Sequence, residues 1–508
     1  CMSLAIAKCI SLIGLNGSVI DVEADIGIGL PGYTLLGLPD AALSESRDRV
    51  RAALINSGEI WPNKRVTISL SPAWLPKRGS GFDLAIAAAL LAASEVEPID
   101  RLSNVIILGE LTLEGKIKGI LGILPALMAA KNAGFNKAIV PLVNAQEARL
   151  VSGLEIIAMS TLKECAIWIR SGESPTHSVV ENYAENEDRE ELDLSEVGGQ
   201  LQARKALEIS AIGGHHLLMI GPPGAGKTML AARLPSILPA LDREGALEVT
   251  ALHSLAGKVS SDSQLITQPP FVAPHHSATR AALVGGGGVN IKPGACSLAH
   301  NGVLFLDEAP EMSSGVLDAL RQPLESGVVT IARSGFQSVM PARFQLVLAS
   351  NPCPCGKFIG TGAQCSCSSQ VRRRYFSRLS GPLLDRIDLR VQVDPVGRVD
   401  MARDELGESS TVIRNRVIAA REVGKKRFAG MGWSLNSQIP ARALRSTFQP
   451  ERSAMNFLHD ELDREHITAR GLHKIIRTAW SFADLQGNPT PTLENVMSAH
   501  TMRGKIEA

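Results

Sequence analysis

Leu217-Leu-Met-Ile-Gly-Pro-Pro-Gly-Ala-Gly-Lys-Thr228 is the stretch that decides the fold class. Four apolar residues of buried-strand type lead straight into Gly221, Pro222, Pro223, Gly224, Ala225, Gly226, Lys227 and Thr228. This is G-x-x-x-x-G-K-[ST] in the strand-then-loop setting that the motif requires. Glycines let backbone N–H groups close around phosphate oxygens, and the helix that follows turns its positive end toward them. Lys227 is placed to reach β- and γ-phosphates and Thr228 to ligate Mg²⁺, so the stretch predicts an ATP site.

Two further apolar runs lie downstream. Val303-Leu-Phe-Leu306 ends in Asp307-Glu308, and Phe344-Gln-Leu-Val-Leu-Ala349 leads to Asn351. Short continuous runs of this kind suit a parallel sheet covered on both faces. Asp307 can then hold the Mg²⁺ shell, Glu308 can polarise the attacking water, and the Asn351 amide can orient it beside the γ-phosphate. A solvated acidic pair and a turn-forming asparagine are the plainer alternatives.

Around this core the chain divides. Residues 1–170 mix strand-like segments such as Val66–Leu70 with helical ones, Asp83–Ala93 and Leu124–Ala133, which predicts an α/β domain. Residues 171–193 carry eight carboxylates and few large apolar groups, the composition of a solvated linker. Residues 194–399 hold the nucleotide motifs. Residues 400–508 turn helical, with Ser453–Asp463 and Arg470–Leu485 the clearest segments, and predict a helical third domain.

Composition narrows the class. With 508 residues, 45% hydrophobic, the chain is long enough for about three cores. No apolar run reaches the roughly 20 residues that span a bilayer, so no membrane contact is expected. Residues 1–13 lack a basic start and a clear cleavage site, and the expectation is a cytoplasmic protein. A net charge of +1 gives no global signature of nucleic-acid binding, so any such contact must be local. Four of the eight cysteines crowd together as Cys353-Pro-Cys355 and Cys365-Ser-Cys367. Four thiolates at this spacing can hold one Zn²⁺, the alternative being reduced thiols. His275, His276 and His300 are weaker metal candidates, better suited to polar packing.

Beyond these features the chain resembles the magnesium-chelatase-like AAA+ ATPases over nearly its whole length. The resemblance rests on Val197-Gly-Gly-Gln200, Ala273-Pro-His-His276, Ser297-Leu-Ala-His-Asn-Gly-Val-Leu-Phe-Leu-Asp-Glu308, Asn351-Pro-Cys-Pro-Cys-Gly356 and Ser380-Gly-Pro-Leu-Leu-Asp-Arg-Ile-Asp388. Where the family reads Pro-Gly-Glu-Ile, this chain has Pro293-Gly-Ala-Cys296. The resemblance implies an AAA+ P-loop core with a parallel sheet, a C-terminal helical lid and an N-terminal Lon-protease-like domain. It also assigns Arg386 as the arginine that reaches a neighbouring subunit's γ-phosphate, and Arg470 as the second sensor arginine. A salt bridge to Asp385 or Asp388 is the plainer role for Arg386, and a solvated helix-start position that for Arg470.

Lon enzymes use a serine nucleophile whose proton a lysine accepts. Aligned on Pro76-Lys-Arg-Gly-Ser-Gly-Phe-Asp83 and Gly109-Glu-Leu-Thr-Leu-Glu-Gly115, those positions fall on Gly81 and Leu124. Neither can do acid–base chemistry, though Ser80, Lys116 and Lys118 lie near. Thr330–Met340 reads as a hairpin around Ser334-Gly335. In related motors this hairpin points into a ring's pore, where Arg333 can track phosphates and Phe336 stack on a base. The glycine run Val284–Val289 resembles the insert beside it. Arg372, Arg373, Arg374 and Arg378 around Tyr375 suit DNA or a subunit interface equally. The resemblance therefore implies a hexameric ring of like subunits that uses ATP and Mg²⁺ to move single-stranded and branched double-stranded DNA by branch migration, during natural transformation. A chelatase motor subunit and an ATP-dependent protease are the alternatives.

Overall fold

The computed structural model describes residues 3–37, 40–77, 79–95, 100–177, 192–259, 264–287, 291–333, 336–358, 363–395 and 407–504. Most of the acidic stretch assigned to a linker, 178–191, thus lies outside the described residues, as do Ser334, Gly335 and 288–290 of the glycine run. Its last residue, Asp193, is anchored rather than solvated, accepting from the backbone N–H groups of Ser195 at 2.7 Å and Ser410 at 3.1 Å.

The N-terminal strands are β1 (Ser3–Ile13), β2 (Asn16–Gly27), β3 (Gly32–Leu36), β4 (Arg65–Ser71) and β5 (Val105–Ile107). They continue with the short hairpin β6 (Glu110–Leu111) and β7 (Ile117–Lys118), then β8 (Lys137–Pro141) and β9 (Glu155–Met159). Seven of them form one mixed sheet in the order β3-β4-β2-β1-β5-β8-β9. β1 and β2 pair antiparallel from Ser3↔Ile26 to Ile13↔Asn16. Residues 3–13 are therefore a long strand, which sequence reading did not assign because small and polar residues break its alternation. On β2 the alternation is plain: Ile20, Val22, Ala24 and Ile26 are buried. The helix Asp83–Ser94 is buried from Asp83 to Ala93, as its Ala/Leu/Ile composition requires. Its one buried carboxylate, Asp83, is paired by Arg49 through bonds of 2.7 and 3.0 Å, because an unpaired charge there would cost several kcal/mol.

The second sheet uses β10 (Leu217–Ile220), β11 (Phe271–Val272) and β12 (Val303–Leu306). The hairpin β13 (Val328–Arg333) and β14 (Phe336–Pro341) intervenes before β15 (Gln345–Ser350) and β16 (Leu389–Gln392). The five-stranded order is β11-β12-β15-β10-β16, parallel throughout. Every residue of β12 and β15 is buried, which is why these runs read as continuous rather than alternating. One face packs Leu217, Met219, Phe305 and Val347 toward the helix Leu201–Gly213 and the lid. The other sends Leu218, Leu304, Leu346 and Leu348 toward Met312, Leu317 and Leu383.

The lid consists mainly of helices Ser410–Arg427, Arg452–Asp463, Ala469–Gln486 and Leu493–Thr501. Thr468 caps the third, accepting from Gly471 N–H at 3.1 Å, and Gly487 ends it at φ 75°, where a residue without Cβ is favoured. The N-terminal unit sits against the unit that holds the five-stranded sheet, with helix Ile123–Asn132 packed on helix Arg243–Leu255. The β1–β2 turn also reaches the hairpin stem: a Cβ on Gly14 would lie 2.2 Å from Ser338 Oγ. Between the two units is a cavity of about 330 Å³ whose walls include Leu12, Gly81, Leu121, Leu255 and Ile291.

Candidate functional site

β10 lies between β15 and β16; from its carboxyl end the chain runs on to β11 on one side, whereas from the carboxyl end of the neighbouring β15 it runs on to β16 on the other. Ligands of open α/β sheets bind at such a point. The loop from Gly221 to Gly226 begins here. A Cβ on Gly221 would meet Val393 O at 2.1 Å, and Gly224 and Gly226 take φ of 79° and 87°. Built Cβ atoms on those last two would find nothing within 4 Å. Loop backbone thus borders open space immediately before the helix that starts at Lys227, the cradle that a phosphate chain needs.

The predicted side chains converge on that space. Lys227 is buried and donates to Gly221 O at 2.7 Å, Pro222 O at 2.8 Å and Asn351 Oδ1 at 3.3 Å. Burial lowers its pKa, an effect that the carboxylates of Asp307 and Glu308 oppose. Thr228 Oγ1 donates to Asp307 Oδ2 at 2.7 Å. This hard oxygen pair fits Mg²⁺, which binds through one or two carboxylates plus substrate phosphates. Asp307 also accepts from Glu308 N–H at 2.9 Å. Glu308 itself sits at φ 47°, a left-handed conformation uncommon outside glycine, asparagine and aspartate. Its carboxylate is 46% exposed and 3.3 Å from His276 Nδ1.

Sequence reasoning passed over His276 as a partner for Glu308. The signal was available: Ala273-Pro-His-His276 follows β11, which neighbours β12 in the parallel sheet, so the two strands end side by side. His300 bonds Glu248 at 2.9 Å and Arg343 N–H at 3.0 Å, a packing role.

Arg386 and Arg470 lie elsewhere. Both line a cavity of about 1090 Å³ that has Glu248, Asp388 and Lys474 in its walls and none of Lys227, Thr228, Asp307 or Glu308. The ion pair of Arg386 is with Glu325, not Asp385 or Asp388, and it also donates to Pro382 O at 2.6 Å. Burial first, then the cations Arg321 and Arg470, disfavour its charged form. Arg470, 79% exposed, pairs with Asp385 at 2.9 Å. Beneath them Asp388 is buried against Lys474 at 2.7 Å and His215 at 3.7 Å. Burial pushes its carboxyl pKa up, but Lys474, His215 and His216 more than offset this and hold it well below the ordinary range.

Cys353, Cys355, Cys365 and Cys367 come together, their sulfur atoms all within 4.8 Å of one another. The hairpin is longer than expected, Val328–Pro341, with Arg333 opposite Phe336 in register. The side chains of Arg333 and Phe336 lie outside the described residues, as does that of Ser80. In the N-terminal unit Gly81 brings no functional group and Leu124 is fully buried. Lys116 pairs with Glu114 at 3.1 Å. Lys77, not singled out from sequence, is fully buried and spends its amine on Pro72 O.

Three sequence profiles match in tandem: subunit ChlI of Mg-chelatase over residues 22–144, magnesium chelatase subunit ChlI over 193–401, and the ChlI C-terminal region over 407–503. An uncharacterized protein of Mycobacterium tuberculosis is 48% identical across 99% of both chains. Competence protein ComM of Haemophilus influenzae is 41% identical across 96% of this chain and 94% of its own. Lon protease 2 of Bacillus subtilis is 37% identical over 94 residues, 18% of this chain and 17% of its own. No helix among the described residues is long and apolar enough to cross a membrane. With its five-stranded parallel sheet, helical C-terminal region and near full-length likeness to competence protein ComM, the chain belongs to the magnesium-chelatase-like AAA+ ATPases.

Proposed function

We propose that the protein is an ATP-driven DNA motor, a ring of identical subunits that moves branched DNA and so promotes integration of incoming strands by homologous recombination in natural transformation. The observation that carries this reading is the separation of the Lys227–Asn351–Thr228–Asp307 cluster from the Arg386–Arg470 cavity. A single chain holds the phosphates on one face and presents cations on another, so two subunits meeting face to face complete one site. The likeness to a competence protein favours DNA as the cargo.

Within the site, Lys227 exchanges its loop carbonyls for phosphate oxygens, and Thr228 with Asp307 holds Mg²⁺. The ion supplies charge neutralisation on the β- and γ-oxygens. Glu308 accepts the proton of the attacking water and Asn351 fixes that water's position, while Arg386 and Arg470 from a neighbour stabilise the charge on the γ-phosphoryl oxygens. Cys353, Cys355, Cys365 and Cys367 hold one Zn²⁺. Arg333 and Phe336 meet single-stranded and branched double-stranded DNA. The N-terminal unit keeps the Lon-like fold without its chemistry, since Gly81 and Leu124 stand where a serine and a lysine are needed.

The test is ATP hydrolysis with and without a forked DNA, a porphyrin-chelatase partner and an unfolded protein, combined with movement of a three-stranded junction. Stimulation by forked DNA and junction movement only with hydrolysable ATP are expected. Stimulation confined to the chelatase partner would replace the DNA reading with a chelatase one.

A further inference from the structure

After β15 the described chain makes turns but no helix or strand until Ser369–Phe376. Connections of this length without secondary structure are uncommon in compact domains unless they are functional or held by something else. The four cysteines fall inside this one. Cys353 Sγ lies 3.3 Å from Cys355 Sγ and 3.6 Å from Cys365 Sγ, and Cys355 Sγ lies 3.7 Å from Cys365 Sγ. A disulfide needs about 2.05 Å. Sulfurs at the corners of a tetrahedron around Zn²⁺, with bonds of about 2.3 Å, stand about 3.8 Å apart. The Cys367 N–H points to Cys365 Sγ at 3.4 Å, an outer hydrogen bond of the sort that steadies a ligating thiolate.

The same loop is wired to the nucleotide site at several points. Cys353 follows two residues after Asn351, whose Oδ1 meets Lys227 Nζ. A turn closed by Gly356 N–H to Cys353 O at 2.9 Å carries Gly356 against the phosphate loop. Gly356 takes φ 73°, and a Cβ there would lie 2.6 Å from Pro223 Cδ. Pro352 and Phe358 share the walls of a cavity of about 840 Å³ with Gly221 and Pro222. Arg372 lies 4.0 Å over the Phe358 ring and donates to Cys367 O at 3.1 Å, tying the far side of the loop to the near one.

We infer that the four-cysteine site is a metal brace for the phosphate loop, so that occupancy by Zn²⁺ sets nucleotide affinity. This rests on the zinc and nucleotide readings given above. On binding, each thiol releases its proton to solvent and its sulfur becomes a ligand. The ion then fixes the Cys353–Cys355 turn and with it the position of Gly356 on Pro223. Without the ion that wall is left to weaker contacts, among them Arg372 on Cys367 O and the turn's own hydrogen bond. A coupling of this kind is reciprocal: nucleotide must raise zinc affinity by the factor by which zinc raises nucleotide affinity.

The experiment uses the full chain, purified in reductant with no metal added. Zinc is measured by elemental analysis and Co²⁺ is titrated into metal-depleted protein. Binding of a fluorescent ADP analogue is measured before chelation, after it, and after Zn²⁺ is returned. One zinc per chain, a tetrahedral cobalt–thiolate spectrum, and nucleotide binding that weakens roughly fivefold or more on depletion and recovers with Zn²⁺ are expected. Gly356→Ala guards against a chelated protein that merely unfolds. It should keep its zinc yet bind nucleotide about tenfold more weakly, because the new methyl presses on Pro223. Absence of both zinc and the cobalt spectrum overturns the zinc reading itself. Stoichiometric zinc with unchanged nucleotide affinity on depletion and in Gly356→Ala overturns the brace and leaves the zinc site standing.

Discussion

The phosphate-loop face and the arginine face of the AAA+ core are built from opposite electrostatic logic. On the first, Lys227 is enclosed by carbonyl oxygens and an amide, and Asp307 is bonded by Thr228, so each charge has short-range partners from its own chain. On the second, Arg386, Arg470 and Arg321 crowd together, and their ion pairs are with the exposed carboxylates of Glu325, Asp385 and Asp318. Exposed ion pairs contribute about 0–1 kcal/mol, so this face gives up its pairing cheaply to a stronger anion. A face satisfied from within and a face poised to accept charge from outside are complementary. That complementarity is the physical argument for an assembly in which each chain completes its neighbour's site.

The largest effect expected is at Lys227. Lys227→Ala should abolish ATP binding, as read by equilibrium binding of a labelled nucleotide, because Lys227 is the ammonium held inside the loop against Gly221 O and Pro222 O; normal affinity would break the assignment of the first face. Arg386→Ala tests the second. It should lower ATPase by about 10³–10⁵ while leaving nucleotide binding in place. Mixing Arg386→Ala with Lys227→Ala chains should then restore part of the activity, since some interfaces join an intact loop to an intact arginine. Absence of recovery, with a monomeric mass in ATP and DNA, would sink the shared site.

Glu308→Gln keeps shape but removes the base, and turnover should fall by about 10²–10⁴ with binding retained. Beneath the arginine face, Asp388→Asn leaves Lys474 buried without its counter-charge. A loss of about 3–5 kcal/mol, seen in denaturant unfolding of the ATPase core and lid, is expected. The smallest effect is one of pH. Burial lowers the His216 pKa from 6.5 to about 4. Its folded value lies below its unfolded one, so the neutral ring favours the fold above pH 6.5 and that contribution drains away as pH falls toward 4. Thermal stability should therefore decline over this window, and less steeply in His216→Asn.

The N-terminal sheet and the AAA+ sheet show how differently two regions can be read from residues alone. β10, β12 and β15 are short apolar runs that end where their motif residues begin, and the structure finds strands at Leu217–Ile220, Val303–Leu306 and Gln345–Ser350. A strand buried on both faces has no freedom to be polar, so composition and position coincide. β1 offers no such signal, because Lys8 and Ser11 interrupt its apolar residues and the strand is fixed by its eleven-residue pairing with β2. A pairing partner is a property of the chain's path, not of the segment.

The sequence by itself determined the α/β class, the phosphate loop with its lysine and threonine, the acidic pair at a strand end, and the four cysteines. Each is a local pattern whose chemistry depends on residues a few positions apart. Only the tertiary structure decided which groups meet across the chain. It set His276 beside Glu308 through adjacent parallel strands, gave Arg386 to Glu325, and placed Arg470 with Arg386 rather than at the phosphate loop. It also laid Gly356 on Pro223. Those contacts arise from strand order and helix packing, and a linear sequence carries no direct record of either, because the free energy that selects them is summed over the whole core.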